Sequence, residues 1–313
     1  MRFSITIPAY KRTFLAECIE SILNQNYSEF ELIIVDDDSP EDLDSIVSQY
    51  NDDRIHYYKN KNNCGALHVV DNWNKCLEYA IGDYVICMGD DDKLLPGCLE
   101  EYDKLIKKYP NLNIYHGWTE IINEESIITN ITAPRPEYES VFSLIYNRWF
   151  QREQYIGDFL FQRSALINEG GFYDLPYAWC SDDITAVRAA YPNGIANTQV
   201  PVFQYRVNSQ TISRGGDEEK KYEALISARE WFDSFLKNDV GKDDLSEKYR
   251  MLSISKMDTY FQLRYKDTIY KDIQKHSIPG CFKWFRKRNQ YNISILSIIS
   301  IFFRILKERI IKK

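Results

Sequence analysis

Short apolar runs, three of them closed by proline, glycine or aspartate, alternate through the first 120 residues with segments whose apolar positions repeat at helical spacing. Phe3 to Pro8 reads as a strand, and Pro8 stops it because proline cannot donate to a sheet ladder. Leu15, Cys18, Ile19, Ile22 and Leu23 share one face of a helix for which Thr13 is the candidate cap. Glu31 to Val35 is a second strand, Asp42 to Tyr50 a helix and Ile55 to Tyr58 a strand. Ala66 to Ala80 is a helix with Val69, Val70, Trp73, Leu77 and Ala80 facing inward. Tyr84 to Met88, Leu99 to Tyr109 and Ile114 to Trp118 continue the alternation as strand, helix and strand. Uncharged strands separated by helices predict an α/β fold with a mostly parallel sheet covered on both faces. Ligands of such sheets bind outside the carboxyl ends of the strands. Pro8-Ala9-Tyr10, Asp36-Asp37 and Asp90-Asp91-Asp92 all fall at such ends.

The triple aspartate follows an apolar strand and the turn at Gly89. Adjacent carboxylates repel one another and resist desolvation, so they stay ionised most readily beside a cation, and hard cations such as Mg²⁺ or Mn²⁺ prefer oxygen ligands. Asp90, Asp91 and Asp92 therefore read as a metal-diphosphate site, with a solvated acidic turn capping the next helix as the other reading.

Composition narrows the classes. With 313 residues, 44% hydrophobic and 14% aromatic, the chain can build one large α/β domain with an appendage, or two domains. The net charge of −7 is unevenly spread: residues 271–313 carry 11 Lys and Arg against Asp272 and Glu308, a net of +9, leaving −16 on residues 1–270. An acidic body argues against nucleic acid as a general partner, and a basic tail suits an anionic surface. The seven cysteines contain no Cys-x-x-Cys pair, which points to reduced thiols in a cytoplasmic protein rather than a disulfide framework or a zinc site. The apolar stretch in Met1 to Pro8 is too short and too alternating for a signal peptide.

Four stretches together carry a resemblance: Pro8-Ala9-Tyr10-Lys11-Arg12, Val35-Asp36-Asp37-Asp38-Ser39, Asn62-Asn63-Cys64-Gly65 and Asp91-Asp92-Lys93-Leu94-Leu95-Pro96. Their order and spacing resemble the family 2 glycosyltransferases, which have the GT-A fold, and the resemblance covers residues 1–120. It implies a catalytic domain over 1–215, made of a nucleotide-sugar half (1–120) and an acceptor half (121–215). Residues 216–313 then read as a helical C-terminal region ending in a basic amphipathic tail, 281–313. The activity implied is inverting transfer of a sugar from a nucleotide-diphosphate donor to an acceptor hydroxyl, with Mn²⁺ or Mg²⁺ as cofactor. The acceptor class implied is a glycan or lipid-linked glycan of bacterial surface polysaccharide synthesis.

The resemblance also distributes roles. Pro8, Ala9, Tyr10, Arg12, Asp37, Asn63, Gly65, Asp90 and Arg206 would meet the donor nucleotide and diphosphate, and Asp91 and Asp92 the metal. Phe161-Gln162-Arg163-Ser164 and Gly170-Gly171-Phe172 resemble the segment ahead of the family's base. The family usually has Glu-Asp there, with Arg six residues after the Asp; counting back from Arg188 gives Asp182 as the base, with Ser181 where the Glu stands and Asp183 as second candidate. A helix cap with an acidic first turn is the structural reading of the same pair. Tyr205 to Ser213 resembles a Tyr-Arg-x-His-x-x-Ser stretch in which Asn208 replaces a His that can hold the metal, so Asn208 is the third candidate ligand. Arg206 and Arg214-Gly215-Gly216 could close over the leaving diphosphate as a loop.

Two other functions fit parts of the chain. Ser181 and Asn208 would suit a catalytically silent protein that binds a saccharide or nucleotide. Asp36-x-Asp38 after an apolar strand would suit an aspartyl phosphotransferase, but Pro40 stands where that chemistry needs Thr or Val. At the C-terminus, the apolar run Ile293 to Phe303 is shorter than the roughly 20 residues a bilayer crossing takes. Together with Phe282-Lys283-Trp284-Phe285-Arg286-Lys287-Arg288 it fits peripheral attachment to the inner face of the plasma membrane, with Trp and Phe at the headgroups. A helix buried against the body or in a dimer is the alternative.

Overall fold

The computed structural model describes residues 2–209, 211 and 215–311. The strands are β1 (Phe3–Ala9), β2 (Phe30–Asp36), β3 (Ile55–Lys59), β4 (Tyr84–Cys87), β5 (Lys93–Leu94), β6 (Ile114–Ile122), β7 (Ile128–Ile131), β8 (Tyr138–Glu139), β9 (Phe159–Gln162) and β10 (Ile195–Arg206). The helices are α1 (Leu15–Leu23), α2 (Asp44–Val47), α3 (Val69–Tyr79), α4 (Cys98–Lys108), α5 (Val141–Phe150), α6 (Arg163–Asn168), α7 (Ser181–Ala190), α8 (Glu218–Asn238), α9 (Asp244–Lys287) and α10 (Ile295–Ile311). They build one sheet of order β3-β2-β1-β4-β9-β6-β10-β5, with β7 on β6 and β8 on β10.

The α/β class is as the sequence reads, and β3, β2, β1 and β4 are parallel. Beyond β4 the sheet is mixed, because β9 inserts antiparallel to both β4 and β6. Alternation along the strands supplies two cores. Ile5, Ile7, Leu32, Ile34 and Ile86 face α1 and α4, whereas Ile33, Val35, Val85 and Cys87 join the cluster that also holds Phe142, Ile184, Leu225, Phe261 and Ile298. Helices α8, α9 and α10 therefore share a hydrophobic cluster with the central strands.

Several local expectations change. Helix α1 starts after Phe14 with no side-chain cap, so Thr13 does not cap it. The expected helix 42–50 shrinks to α2, where Asp42 Oδ1 accepts the Ser45 N–H at 3.1 Å and starts the turn late. β6 runs on to Ile122 because β10 continues beside it to Arg206. Helix α9 bends at Ser277, which has φ 53°, two residues before Pro279. The bend folds the next turns back, and Trp284 is fully buried with its Nε1 donating to Asp272 Oδ2 at 2.7 Å. Trp284 is thus a core residue and not a headgroup anchor. On α10, Ile298, Ile301 and Ile305 are buried, while Leu296, Ile299, Phe303 and Leu306 form an exposed stripe on the opposite side. No described helix is long and apolar enough to cross a membrane.

Candidate active site

The carboxyl ends of β1, β2 and β4 meet at the expected edge, but their carboxylates have different tasks. Asp90 Oδ2 accepts the backbone N–H groups of Tyr10 at 2.8 Å and Lys11 at 2.7 Å, which fixes the turn leaving β1. Tyr10 is left 42% exposed at that turn, and Pro8 and Ala9 lie beneath it in β1. Asp92 braces the same region, since Oδ1 accepts the Arg206 N–H at 2.9 Å and Oδ2 the Gly89 N–H at 3.3 Å. Burial pushes the carboxyls of Asp90 and Asp92 above the usual range, with the neighbouring Asp91 charge adding to it.

Arg206 also departs from expectation. It is fully buried, donates Nε to the Asp91 carbonyl at 2.8 Å, Nη1 to the Asn123 carbonyl at 3.1 Å and Nη2 to Glu17 Oε2 at 2.9 Å, and lies over the Phe14 ring. It ties β10, α1 and the loop after β6 together from inside, so its guanidinium has no face toward a donor. Arg214 lies outside the described residues.

Asp91, buried like its neighbours, takes side-chain rather than backbone donors. Its Oδ2 accepts from Lys11 Nζ at 3.0 Å and from Asn208 Nδ2 at 2.6 Å. Burial works against the Lys11 ammonium, but the charges of Asp90, Asp91 and Asp92 outweigh it and raise its pKa. Among the described residues no three His, Cys, Asp or Glu side chains converge as a metal cage. The residues fit a more open arrangement, in which Mg²⁺ or Mn²⁺ takes one carboxylate and completes its shell with substrate phosphates and water. Asp91, with Asn208 beside it, matches that donor set.

On the β2 side, buried Asp37 accepts from Asn60 Nδ2 at 2.8 Å and from the backbone N–H groups of Cys64 at 2.9 Å and Gly65 at 3.2 Å. Gly65 has φ +76°, a conformation that side chains resist, which is why a glycine closes this loop. Asn63 is exposed on the same loop. Exposed Arg12 donates Nη1 to the Asp42 carbonyl at 2.6 Å and to Ser45 Oγ at 2.8 Å, so it is held against α2. Asp36 accepts from the Ser39 N–H at 2.8 Å and from the Tyr57 hydroxyl at 2.7 Å and is buried, which closes it to the phosphotransferase role.

The second half of the site is the start of α7. Tyr177, Ala178 and Cys180 all have left-handed φ values (59°, 51° and 71°), a strained approach that aims the first turn of the helix. Ser181 is fully buried and its Oγ accepts the Leu175 N–H at 3.1 Å, so the residue standing where the family has Glu is structural. Cys180 is the cap residue and makes no side-chain cap bond, so neither aspartate caps the helix. Buried Asp183 Oδ1 accepts from Arg148 Nε at 2.6 Å and Gln154 Nε2 at 2.8 Å. Half-buried Asp182 differs: burial, and then the Asp183 charge, push its carboxyl up to about 7, with Arg148 opposing.

Behind this pair lies a buried polar layer. Asp158, His116, Arg135, Glu139 and Arg152 are all buried or nearly so, with His116 Nε2 3.4 Å from Asp158 Oδ2 and Arg152 Nη1 2.8 Å from both Glu139 oxygens. Burial and the Arg135 charge lower the His116 pKa, which keeps the ring neutral. Sequence reading passed over Lys11 as a partner of Asp91, and over Arg148 and Gln154 as partners of Asp183. Only the position of Lys11 between Tyr10 and Arg12 gave a signal; Arg148 looks like any polar position on an amphipathic helix.

Comparison with known proteins agrees with the fold. The profile of the family described as Glycosyl transferase family 2 matches residues 4–170. A GalNAc(5)-diNAcBac-PP-undecaprenol beta-1,3-glucosyltransferase of Campylobacter jejuni is 33% identical over 178 residues, 49% of this chain and 56% of that protein. The UDP-Glc:alpha-D-GlcNAc-diphosphoundecaprenol beta-1,3-glucosyltransferase WfgD of Escherichia coli is 32% identical over 133 residues, 42% of this chain and 51% of that protein. The chain therefore spans about half the length of these curated relatives. Among solved structures, Staphylococcus aureus TarS 1-349 in complex with UDP-GlcNAc superposes with a TM-score of 0.65 at 15% identity, covering 100% of this chain and 93% of that one. The mannosyltransferase PcManGT of Pyrobaculum calidifontis, in complex with GDP-Man and Mn²⁺, superposes at 0.53 with 15% identity, covering 97% and 87%. These structural likenesses establish the GT-A fold.

Proposed function

Because the chain belongs to the family 2 glycosyltransferases, we propose that it moves a sugar from a nucleotide-diphosphate donor to an acceptor hydroxyl with inversion at the anomeric carbon. The observation that carries this reading is the contrast between the two carboxylates of α7. Asp183 is locked by Arg148 and Gln154, whereas Asp182 is raised to about 7. A general base works best with a pKa near the operating pH. In the displacement, the acceptor oxygen bonds to the anomeric carbon as the bond to the diphosphate oxygen breaks, and the bonding pair leaves with the diphosphate. The acceptor proton passes to Asp182, and Asp183 is the positioning residue.

Tyr10, with Pro8 and Ala9 beneath it, and the loop of Asn63 and Gly65 braced by Asp37 form the nucleoside side of the donor site. Arg12 stands at its rim, and Asp90 shapes it through the turn at Tyr10 and Lys11. Lys11 places an ammonium beside the diphosphate. Asp91, with Asp92 and Asn208 beside it, would hold Mn²⁺ or Mg²⁺, whose charge would neutralise the leaving group. The catalytic unit spans 1–215 and the helical region 216–313. The acceptor is a glycan or lipid-linked glycan of bacterial surface polysaccharide synthesis, a reading supported by relatives named for diphosphoundecaprenol-linked substrates. The protein works at the cytoplasmic face of the membrane. Contact with anionic lipid through 281–313 is supported by the exposed stripe Leu296, Ile299, Phe303 and Leu306 and by exposed Phe282 and Phe285.

A thermal-shift screen against UDP, GDP, CDP and dTDP, with and without Mn²⁺, tests the donor site. A nucleotide at 100 times its Kd stabilises by about 2.7 kcal/mol. One nucleotide should give a Mn²⁺-dependent shift that Asp91→Ala abolishes; a flat response to all four would leave the donor reading without support and favour a silent binding protein.

A further inference from the structure

Helices α8 and α9 bring cations to Trp179, three residues ahead of Asp182. Around the half-buried indole stand Lys221 Nζ at 4.9 Å from the ring centroid, Arg264 Cζ at 5.3 Å and Lys271 Nζ at 6.0 Å. The indole Nε1 is buried and has no hydrogen-bond partner among the described residues. Lys221 pairs with Glu218 at 3.0 Å and exposed Lys271 with Asp267 at 2.8 Å, while Arg264 donates Nη1 to the neutral hydroxyl of Tyr260 at 2.9 Å. Burial lowers the Lys221 pKa against the pull of Glu218, and the nearby charges of Lys271 and Lys275 lower it further. Arg264 also lies within the electrostatic reach of Asp183. Three cations thus gather around Trp179, three residues ahead of Asp182, in a chain whose residues 1–270 sum to −16. Crowded cations that repel one another, next to an indole N–H that still lacks an acceptor, suit a compact oxyanion with several acceptor oxygens.

We propose that Trp179, Lys221, Arg264 and Lys271 form a subsite for a phosphate or diphosphate ester carried by the acceptor. This rests on the transfer reading above, because nearness to Asp182 is what makes the cluster part of the acceptor's path. Lys271 and Arg264 supply charge, and the Trp179 N–H fixes orientation. An acceptor without the ester loses these contacts while still presenting its hydroxyl to the base.

Isothermal titration of citronellyl diphosphate into the full chain, with chelator present, probes the subsite without turnover. Lys271→Ala and Arg264→Gln should each weaken binding about tenfold, as expected for loss of one charge-assisted contact. Lys271 is exposed, so its variant reports even if Arg264→Gln folds poorly. Binding that is lost in Lys11→Ala and retained in both other variants puts the diphosphate at the donor carboxylates and overturns the proposal. Vesicles of phosphatidylglycerol separate a headgroup site from an acceptor site: a tenfold loss of vesicle binding in Lys271→Ala, matching the loss for citronellyl diphosphate, assigns the cations to the bilayer and also overturns it. In transfer assays the wild type should prefer a diphosphate-linked sugar over the matching octyl glycoside, and the variants should lose about tenfold of that preference, chiefly in acceptor KM. Equal losses on both acceptors would sink the subsite. Absence of transfer by the wild type, with the binding pattern intact, counts against the transfer reading and for the subsite.

Discussion

Replacing Asp182 with Asn separates the roles of its charge. The carboxyl is raised from an ordinary 3.8 to about 7 by burial and by Asp183. Between those two values the folded protein holds a proton that the unfolded chain has released, so stability falls as pH rises through the window. The contribution is fully present below about 4 and gone above about 7. At about 1.4 kcal/mol per pKa unit, ionised Asp182 costs the fold up to about 4 kcal/mol at pH 8. Asn has the same shape and no charge. Urea unfolding should therefore show Asp182→Asn more stable than wild type at pH 8 by about 2–4 kcal/mol, with the gap closing at pH 4. Asp90 and Asp92 are also raised, but they are common to both proteins and drop out of the difference. Transfer should move the opposite way. The variant should lose turnover, and wild-type kcat/KM should rise about tenfold from pH 6 to pH 8 as the base ionises. A stability gap that is the same at both pH values would mean Asp182 titrates normally, and the electrostatic case for it as the base would be lost.

Two further substitutions test the reassigned residues. Arg206→Met removes the partner of the Asp91 and Asn123 carbonyls and of Glu17, and should cost about 3–5 kcal/mol in urea unfolding. A cost under about 1 kcal/mol would return Arg206 to the donor-binding residues. Leu296→Glu with Phe303→Glu changes side chains that are 78% and 64% exposed, and should leave thermal stability within about 1 kcal/mol. The same pair should abolish sedimentation with phosphatidylglycerol vesicles; retained sedimentation would reassign the exposed stripe of α10 to another partner.

The sequence placed carboxylates at the strand ends because β1, β2 and β4 are parallel, and parallel strands deliver their carboxyl ends to one edge. It could not say which carboxylate faces a ligand. That depends on which backbone N–H groups arrive from far along the chain: Asp90 meets Tyr10 across 80 positions, and Asp92 meets Arg206 across 114. An aspartate whose oxygens accept amide N–H groups and one that accepts from the Lys11 and Asn208 side chains look identical in a run of three. The same limit explains Trp284, which reads as interfacial from its basic and aromatic neighbours but is turned inward by the bend at Ser277 and pinned by Asp272. Asp182 was reachable only by counting from Arg188, since Ser181 breaks the usual pair. What separates it from Asp183 is Arg148, which sits 35 positions away from Asp183 in the chain. Local pattern thus locates the candidate residues, whereas the hydrogen-bond partners that distinguish them come from far along the chain. Lys11 at Asp91, Arg148 at Asp183, and the cations of α8 and α9 beside Trp179 are such partners.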